Sequence, residues 1–277
     1  MTVKKPIFKA LIYILMTLFG IVQVFPFIWS VLFSFKSNSE IVMNGALSLP
    51  TEWKFTNYIN AWTRGHIGSY FFNSLIVSVV STAAIIILSS MCAYAFTRMK
   101  WKLRSPAMTL IMSGLMIPIQ AILIPQFFVI KGLGMTKTYL SVILPYIGAG
   151  LPLGIFIISG FMAGLPKEVE EAALLDGCGI FKAFFHIVLH LIKPALATVG
   201  VLTFINCWNE MIMAVTYIYN DSLKTLPVGL MAFQGTHATD WGALGAAMVI
   251  ASLPAILFYF KFGDLIEDSV TMGAILK

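Results

Sequence analysis

The sequence predicts an all-α, polytopic membrane protein, and three observations predict it. Of 277 residues, 59% are hydrophobic and only 11% are charged, where soluble domains carry about 45–50% and about 25%. Mean hydropathy is +0.90. The apolar residues fall in continuous runs of span length, without the short alternating segments of a membrane barrel. Lipid offers backbone N–H and C=O groups no partner, so such runs must cross as helices.

Six spans follow, at residues 10–35, 71–96, 106–130, 138–162, 195–219 and 241–261, each reaching the ~20 residues that cross the hydrocarbon core. The first follows Lys4, Lys5 and Lys9. It is longer than the ~7–15 residue core of a cleaved signal and lacks a small-residue cleavage site, so it is expected to be retained. The second lies in a charge-free window from His66 to Thr97, the third in Ser105–Ile130 and the fourth in Thr138–Leu165. The fifth, from Pro194 to Tyr219, contains one charge, Glu210, and the sixth begins at Trp241. Pro26, Pro118, Pro125, Pro145, Pro152 and Pro254 lie in these runs. They are expected to shape the helices, with neighbours satisfying the carbonyls that each proline frees. No internal repeat of the inverted-half kind is visible.

Six spans put both termini on one side. If that side is cytoplasmic, Lys4, Lys5, Lys9, Arg98, Lys100, Lys102, Arg104, Lys167, Lys182, Lys193, Lys261 and Lys277 are inside. Twelve of the 18 basic residues then obey the positive-inside rule, four of them between Thr97 and Arg104. The net charge of +6 is therefore a topology signal and no sign of nucleic-acid binding. Cys92, Cys178 and Cys207 are scattered, without the spacing of a disulfide framework or metal site. Two loops fall outside: Lys36–Arg64, with Trp53, Tyr58 and Trp62, and Asn220–Asp240, with Gly229, Gly235 and His237. Both are expected to be contact surfaces or lids.

The loop at 163–194 is longer than a connection needs, and it concentrates charge. Pro166 suits a first helical position, and Glu168, Glu170 and Glu171 suit the positive end of a helix dipole. Gly177 suits the left-handed residue that closes a helix. Pro166–Asp176 thus reads as a helix of about three turns. A second helix follows, with Phe181, Phe184, Phe185, Val188, Leu189 and Ile192 on one face and Lys182, His186 and His190 on another. Pro194 marks its boundary with the fifth span. His186 and His190 have the spacing of a zinc pair, but two imidazoles without further ligands are better read as part of a basic face. The whole is an amphipathic hairpin beneath the membrane. Ala172 and Ala173 allow another protein close approach, and Glu171 and Asp176 flank them with charges that can pair across an interface. The alternative is an ordinary solvated loop helix.

Glu171-Ala172-Ala173, Asp176-Gly177, Ile187 and Pro194 resemble the EAA motif of ATP-binding-cassette importer permeases. Further segments resemble the maltose-type carbohydrate permeases within that group: Phe72-Asn73-Ser74-Leu75, Ala93-Tyr94-Ala95-Phe96-Thr97-Arg98, Ile117-Pro118-Ile119-Gln120 with Pro125, and Trp208-Asn209-Glu210. His190, where the family often has proline, and Cys178, where alanine is usual, depart from the pattern. The resemblance implies a six-span permease in a bacterial plasma membrane with both termini cytoplasmic. The coupling helix, through Glu171, Ala172, Ala173, Asp176 and Gly177, would dock in a cytoplasmic ATPase. The implied partners are a second homologous permease, two ATPase subunits and an extracytoplasmic sugar-binding protein, within membrane lipid. ATP and Mg would be used by the ATPase subunits. The implied cargo is a sugar, an oligosaccharide above all.

This chain has no G-x-x-x-x-G-K-[ST] loop for a nucleotide, and no span presents a nucleophile, base and orienting group together. A charge such as Glu210 costs about 2.5–3.5 kcal/mol at a span centre, so it should face the bundle interior or water. With Asn206, Trp208 and Asn209 it offers hydrogen-bonding groups beside an aromatic ring, as a sugar path or gate needs. The other reading is a hydrogen-bond network between helices. An ion-coupled transporter or channel is the alternative function, though it would normally carry more buried ionisable groups than one.

Overall fold

A computed structural model describes residues 4–175, 177–233 and 239–275, with side chains for 8–173, 175, 177–233 and 239–263. Its regular structure is helical. In chain order the helices are α1 (Lys4–Ser34), α2 (Asn38–Met43), α3 (Thr56–Thr63), α4 (Ile67–Thr97), α5 (Arg104–Ser113), α6 (Ile119–Gly132) and α7 (Leu140–Ala163). Then come α8 (Glu168–Leu175), α9 (Ile180–Ala183), a π-helical turn at Phe184–Val188, α10 (Leu189–Leu191) and α11 (Lys193–Asn209). The last are α12 (Ile212–Tyr217), α13 (Leu226–Leu230) and α14 (Trp241–Ile275).

Among the described residues, four helices are long and apolar enough to cross a membrane: Phe8–Ser34, Ile67–Thr97, Leu140–Ala163 and Trp241–Gly263. They match the first, second, fourth and sixth expected spans. The third and fifth differ from expectation because they are broken. Arg104–Met116 and Ile119–Gly132 meet at 106°, and Ile180–Leu191 meets Lys193–Asn209 at 75°. The first break has a local cause. Ile117 precedes a proline and takes an extended conformation (ψ 116°), as steric clash with the proline ring favours. Pro118 then opens α6 with no N–H to leave unsatisfied. In the expected fifth span α11 ends at Asn209, Glu210 is extended, and only the six-residue α12 follows. By length and composition, the described residues hold four candidate spans, or up to six if each bent pair is one.

The chain forms two compact units, Met1–Gly68 with Gly229–Leu253, and Ser69–Val228 with Pro254–Lys277. In the first, α1 exposes apolar side chains from Phe8 to Ile28, as a surface facing lipid does. The loop after it is tightly built rather than a loose lid. Lys36 is fully buried, and its ammonium donates to the Gly45 and Ala46 carbonyls (3.1 and 3.2 Å) and the Ser48 hydroxyl (2.7 Å). Asn57 donates to the Ser34 and Lys36 carbonyls at 2.9 and 2.8 Å. A side chain on Gly242 would strike that amide at 2.6 Å. In the outer loop at 220–240, Gly229 lies in α13, while Gly235 and His237 lie outside the described residues.

The second unit carries the candidate site. One apolar cluster gathers Val77, Ile130, Val142, Tyr146, Met213 and Tyr217. Another gathers Ile85, Tyr94, Ile158, Met162, Phe184, Val188, Ile192 and Val199, so it joins α4, α7, the π-helical turn and α11. α4 and α7 approach closely at Gly150 and Gly154, where an added Cβ would meet Ile85 at 2.5 Å and Ser89 at 2.8 Å.

Candidate functional site: a latched helix and a capped helix break

The acidic segment folds as α8, eight residues and about two turns, shorter than expected. Pro166 lies outside it. The Lys167 carbonyl accepts from the N–H groups of both Glu170 and Glu171 (3.0 Å each), so Lys167, not Pro166, sits at the helix entrance. The end is as the glycine predicts. Gly177 has φ +80°, and the Cys178 N–H returns to the Ala173 carbonyl at 3.0 Å, closing the last turn in a Schellman motif.

The three acidic residues of the first turn have different surroundings. Glu168 and Glu171 are exposed, as is Ala172, and Leu175 is 89% exposed. Glu170 is buried, and its carboxylate accepts from Arg98 Nε at 2.7 Å. The same guanidinium donates through Nη2 to the Leu165 carbonyl at 3.0 Å. Arg98 follows the last turn of α4, where its own N–H returns to Tyr94, and Tyr94 packs on Phe184 with ring centroids 5.1 Å apart. The end of α4 therefore holds α8 from one side and the following segment from the other. What remains uncovered is an apolar and acidic face, with Val169, Leu175, Glu168 and Glu171 exposed.

In α9–α10, Lys182, His186 and His190 are exposed while Phe184, Val188 and Ile192 are buried, the amphipathic division expected of them. Phe181 and Phe185 are exposed instead, 78% and 54%, off the face that Phe184, Val188 and Ile192 bury. The chain bends into α11 without a proline at 190; Pro194 stands in the first turn of α11.

The second constellation surrounds Glu210. Where α11 stops, the carboxylate turns onto the start of α12 and accepts from the Met213 and Ala214 N–H groups at 2.8 and 3.1 Å. It also accepts from the Tyr146 hydroxyl at 2.7 Å. The break leaves helix N–H groups without intrahelical partners, and Glu210 supplies them. The Tyr217 hydroxyl, at the other end of α12, donates to the Leu123 carbonyl (3.2 Å) and the Gln126 amide oxygen (2.9 Å). Glu210 also lines a cavity of about 310 Å³ with Asn206, Thr203, Tyr146, Ile85 and Ile119.

The family model for binding-protein-dependent transport system inner membrane components matches residues 85–272. The chain belongs to that family. It is 35% identical to the diacetylchitobiose uptake system permease protein NgcG of Streptomyces coelicolor, over 96% of this chain and 88% of that protein. It is 32% identical to the trehalose/maltose transport system permease protein MalG of Thermococcus litoralis, over 93% of each. The fold is similar to a chain of a bacterial ABC transporter involved in import of the acidic polysaccharide alginate. That match has a TM-score of 0.83 at 20% identity and covers 96% of this chain and 99% of that one.

In this inner membrane component the segments that resemble sugar permeases prove to be joints. Asn73 donates to the Ser222 and Lys224 carbonyls at 2.8 and 2.9 Å and accepts from the Tyr139 hydroxyl at 2.8 Å. Ser74 accepts from the Leu226 N–H at 2.7 Å. Of the four residues grouped with the fifth span, Asn206 and Glu210 share the cavity, one helical turn apart. Trp208 points into the core, 2% exposed, against Phe71 and Phe204 (5.4 and 5.8 Å). Asn209 is exposed. Glu171, Ala172 and Ala173 lie on α8 and Gly177 in the turn that closes it; Asp176 lies outside the described residues. Sequence reasoning missed Arg98, Glu170 and Tyr146 as site residues. Arg98 stands in the sequence both as a topology charge and as the end of Ala93-Tyr94-Ala95-Phe96-Thr97-Arg98, but neither reading points to Glu170.

Proposed function

We propose that this chain is one of two transmembrane subunits of an ATP-driven, binding-protein-dependent importer of a sugar, an oligosaccharide above all. Its partners are a second homologous permease, two cytoplasmic ATPase subunits that use the ATP and Mg, and an extracytoplasmic sugar-binding protein. Both termini lie in the cytoplasm, on the side that collects twelve of the basic residues. The family membership and the sugars named for two relatives support the class of cargo.

The observation that carries the mechanism is α8. Glu171, Ala172, Ala173 and Gly177 form its docking surface, with Asp176 beside them in sequence, and the buried Arg98–Glu170 pair fixes that surface to α4. A push on α8 then reaches a spanning helix through a charge-assisted bond instead of dissipating in a loop. The cavity beside Asn206 and Glu210 is the part of the path or gate that this subunit contributes, with Trp208 and Asn209 setting the turn that positions it.

The test is purification of the tagged chain from its own membranes, followed by ATPase assays over a panel of mono- and oligosaccharides with the binding protein present. Co-purifying ATPase subunits whose turnover rises with one oligosaccharide support the reading. A chain that purifies alone and drives uptake into liposomes under an ion gradient overturns it in favour of an ion-coupled transporter.

A further inference from the structure

We propose that the charged end of α4, α5 and α7 binds the phosphate head group of an anionic phospholipid. A cavity of about 600 Å³ opens there, lined by Phe96, Trp101, Lys102, Arg104, Ser105 and Ser159 among others. Three features leave it short of an anion.

The first is unbalanced charge. Of the four cations between Thr97 and Arg104, Arg98 is taken by Glu170. Lys100, Lys102 and Arg104 have no carboxylate partner among the described residues. The second is the start of α5. Leu103 gives it no side-chain cap, its first turn holds no acidic residue, and its first residue is Arg104. A cation at the positive end of a helix dipole is unfavourable unless an anion sits between them. The third is Ser159. It is 8% exposed, its hydroxyl has no hydrogen-bond partner, and it lines this cavity from α7. A phosphodiester answers all three, with oxygens for the ammonium, the guanidinium, the Ser159 hydroxyl and the Ser105 N–H, the neighbouring Arg104 and Ala107 N–H groups being bonded to the Trp101 and Leu103 carbonyls.

The walls favour a phosphate that carries acyl chains over a free ion. The Trp101 indole is fixed by its N–H bond to the Ala95 carbonyl (3.1 Å) and lies 5.5 Å from the Phe96 ring. Tryptophan beside lysine and arginine at the end of apolar helices marks head-group depth, where basic pockets between spans take anionic lipids.

The experiment is native mass spectrometry of the full chain in mild detergent with phosphatidylglycerol, phosphatidylcholine of the same acyl chains, or inorganic phosphate. One phosphatidylglycerol should be retained in preference to phosphatidylcholine. Lys102→Gln and Arg104→Gln should each weaken its retention about fivefold, the factor expected for removing one basic residue near the surface. Ser159→Val, which changes no charge, should weaken it too, whereas Lys131→Gln at the end of α6 should not. Equal retention of phosphatidylcholine, indifference to all three cavity variants, or an equal loss in Lys131→Gln would overturn the proposal. Displacement by inorganic phosphate would overturn it as well, in favour of a free-anion site.

Discussion

The guanidinium of Arg98 lies 2.7 Å from the carboxylate of Glu170, with only 7% and 10% of the two side chains exposed. Removing one partner of a buried pair strands the other charge, a loss of about 3–5 kcal/mol. Arg98→Ala and Glu170→Gln should therefore each lower the melting temperature of the purified chain. Arg98→Ala should lower it more, because the Leu165 carbonyl also loses its donor. Arg98→Met combined with Glu170→Leu should recover much of the stability, since no charge is left buried. It should not recover sugar-stimulated ATP turnover if the pair transmits motion. Recovery of both would make the pair a folding device only.

Gly177→Ala isolates the closing turn of α8. Nothing lies within 4 Å of the Cβ it would add, but φ is +80°, so the penalty is conformational, about 1–2 kcal/mol for a left-handed residue with a side chain. Co-purification of the ATPase subunits should weaken, and Gly177→Asn should weaken it less, because asparagine tolerates this region. Equal yields from the wild type and both variants would show that docking does not depend on this turn.

Glu171 is exposed and Glu170 is buried, one residue apart on α8. Glu171→Lys should leave the folding stability within about 0.5 kcal/mol of wild type, as surface changes do. It should nonetheless uncouple uptake from ATP hydrolysis in the assembled importer. Unchanged uptake would make this face of α8 a passive one.

What the sequence disclosed divides along physical lines. The apolar runs and the Gly177 closure were legible because each depends on neighbours within a few residues. The helix breaks were not. Pro26, Pro125, Pro145, Pro152 and Pro254 all remain inside helices, whereas Pro118 opens one. The same residue type therefore has either outcome: the local bias that extends Ile117 acts ahead of every proline, and packing around the freed carbonyls decides where it prevails. The Arg98–Glu170 pair joins residues 72 apart, so neither could name the other from spacing. Glu210 was legible as an anomaly, but its partner Tyr146 lies 64 residues away, and its use as a cap required knowing that α11 stops at Asn209.

Gly154 lets α7 approach α4, where a Cβ would lie 2.8 Å from the Ser89 hydroxyl and 2.9 Å from its Cβ. Gly154→Ala should destabilise the chain by about 1–3 kcal/mol, the range for overpacking. Because the clash includes the Ser89 Cβ, Ser89→Gly should restore part of the loss and Ser89→Ala should restore less. Melting temperatures of the four proteins test the order.

Glu210 and Asn206 line one cavity, but the structure uses them differently, and this separates scaffold from pathway. Glu210 accepts three hydrogen bonds, so Glu210→Ala leaves two backbone N–H groups and a tyrosine hydroxyl without an acceptor. At about 1–3 kcal/mol for each buried group left unsatisfied, it should be among the most destabilising single changes in this unit. Glu210→Gln should be milder, because its amide oxygen still accepts, although its NH2 faces a donor. Tyr146→Phe should be milder again, since the carboxylate keeps both N–H donors. Asn206 is exposed, so Asn206→Ala should leave the melting temperature near that of the wild type. If the cavity belongs to the sugar path, Asn206→Ala should raise the sugar concentration needed for half-maximal uptake or lower the maximal rate. Wild-type uptake in Asn206→Ala, together with Glu210 variants whose activity falls only as far as their folded fraction does, would make this cavity part of the scaffold. The sugar would then pass along surfaces supplied by the partner permease.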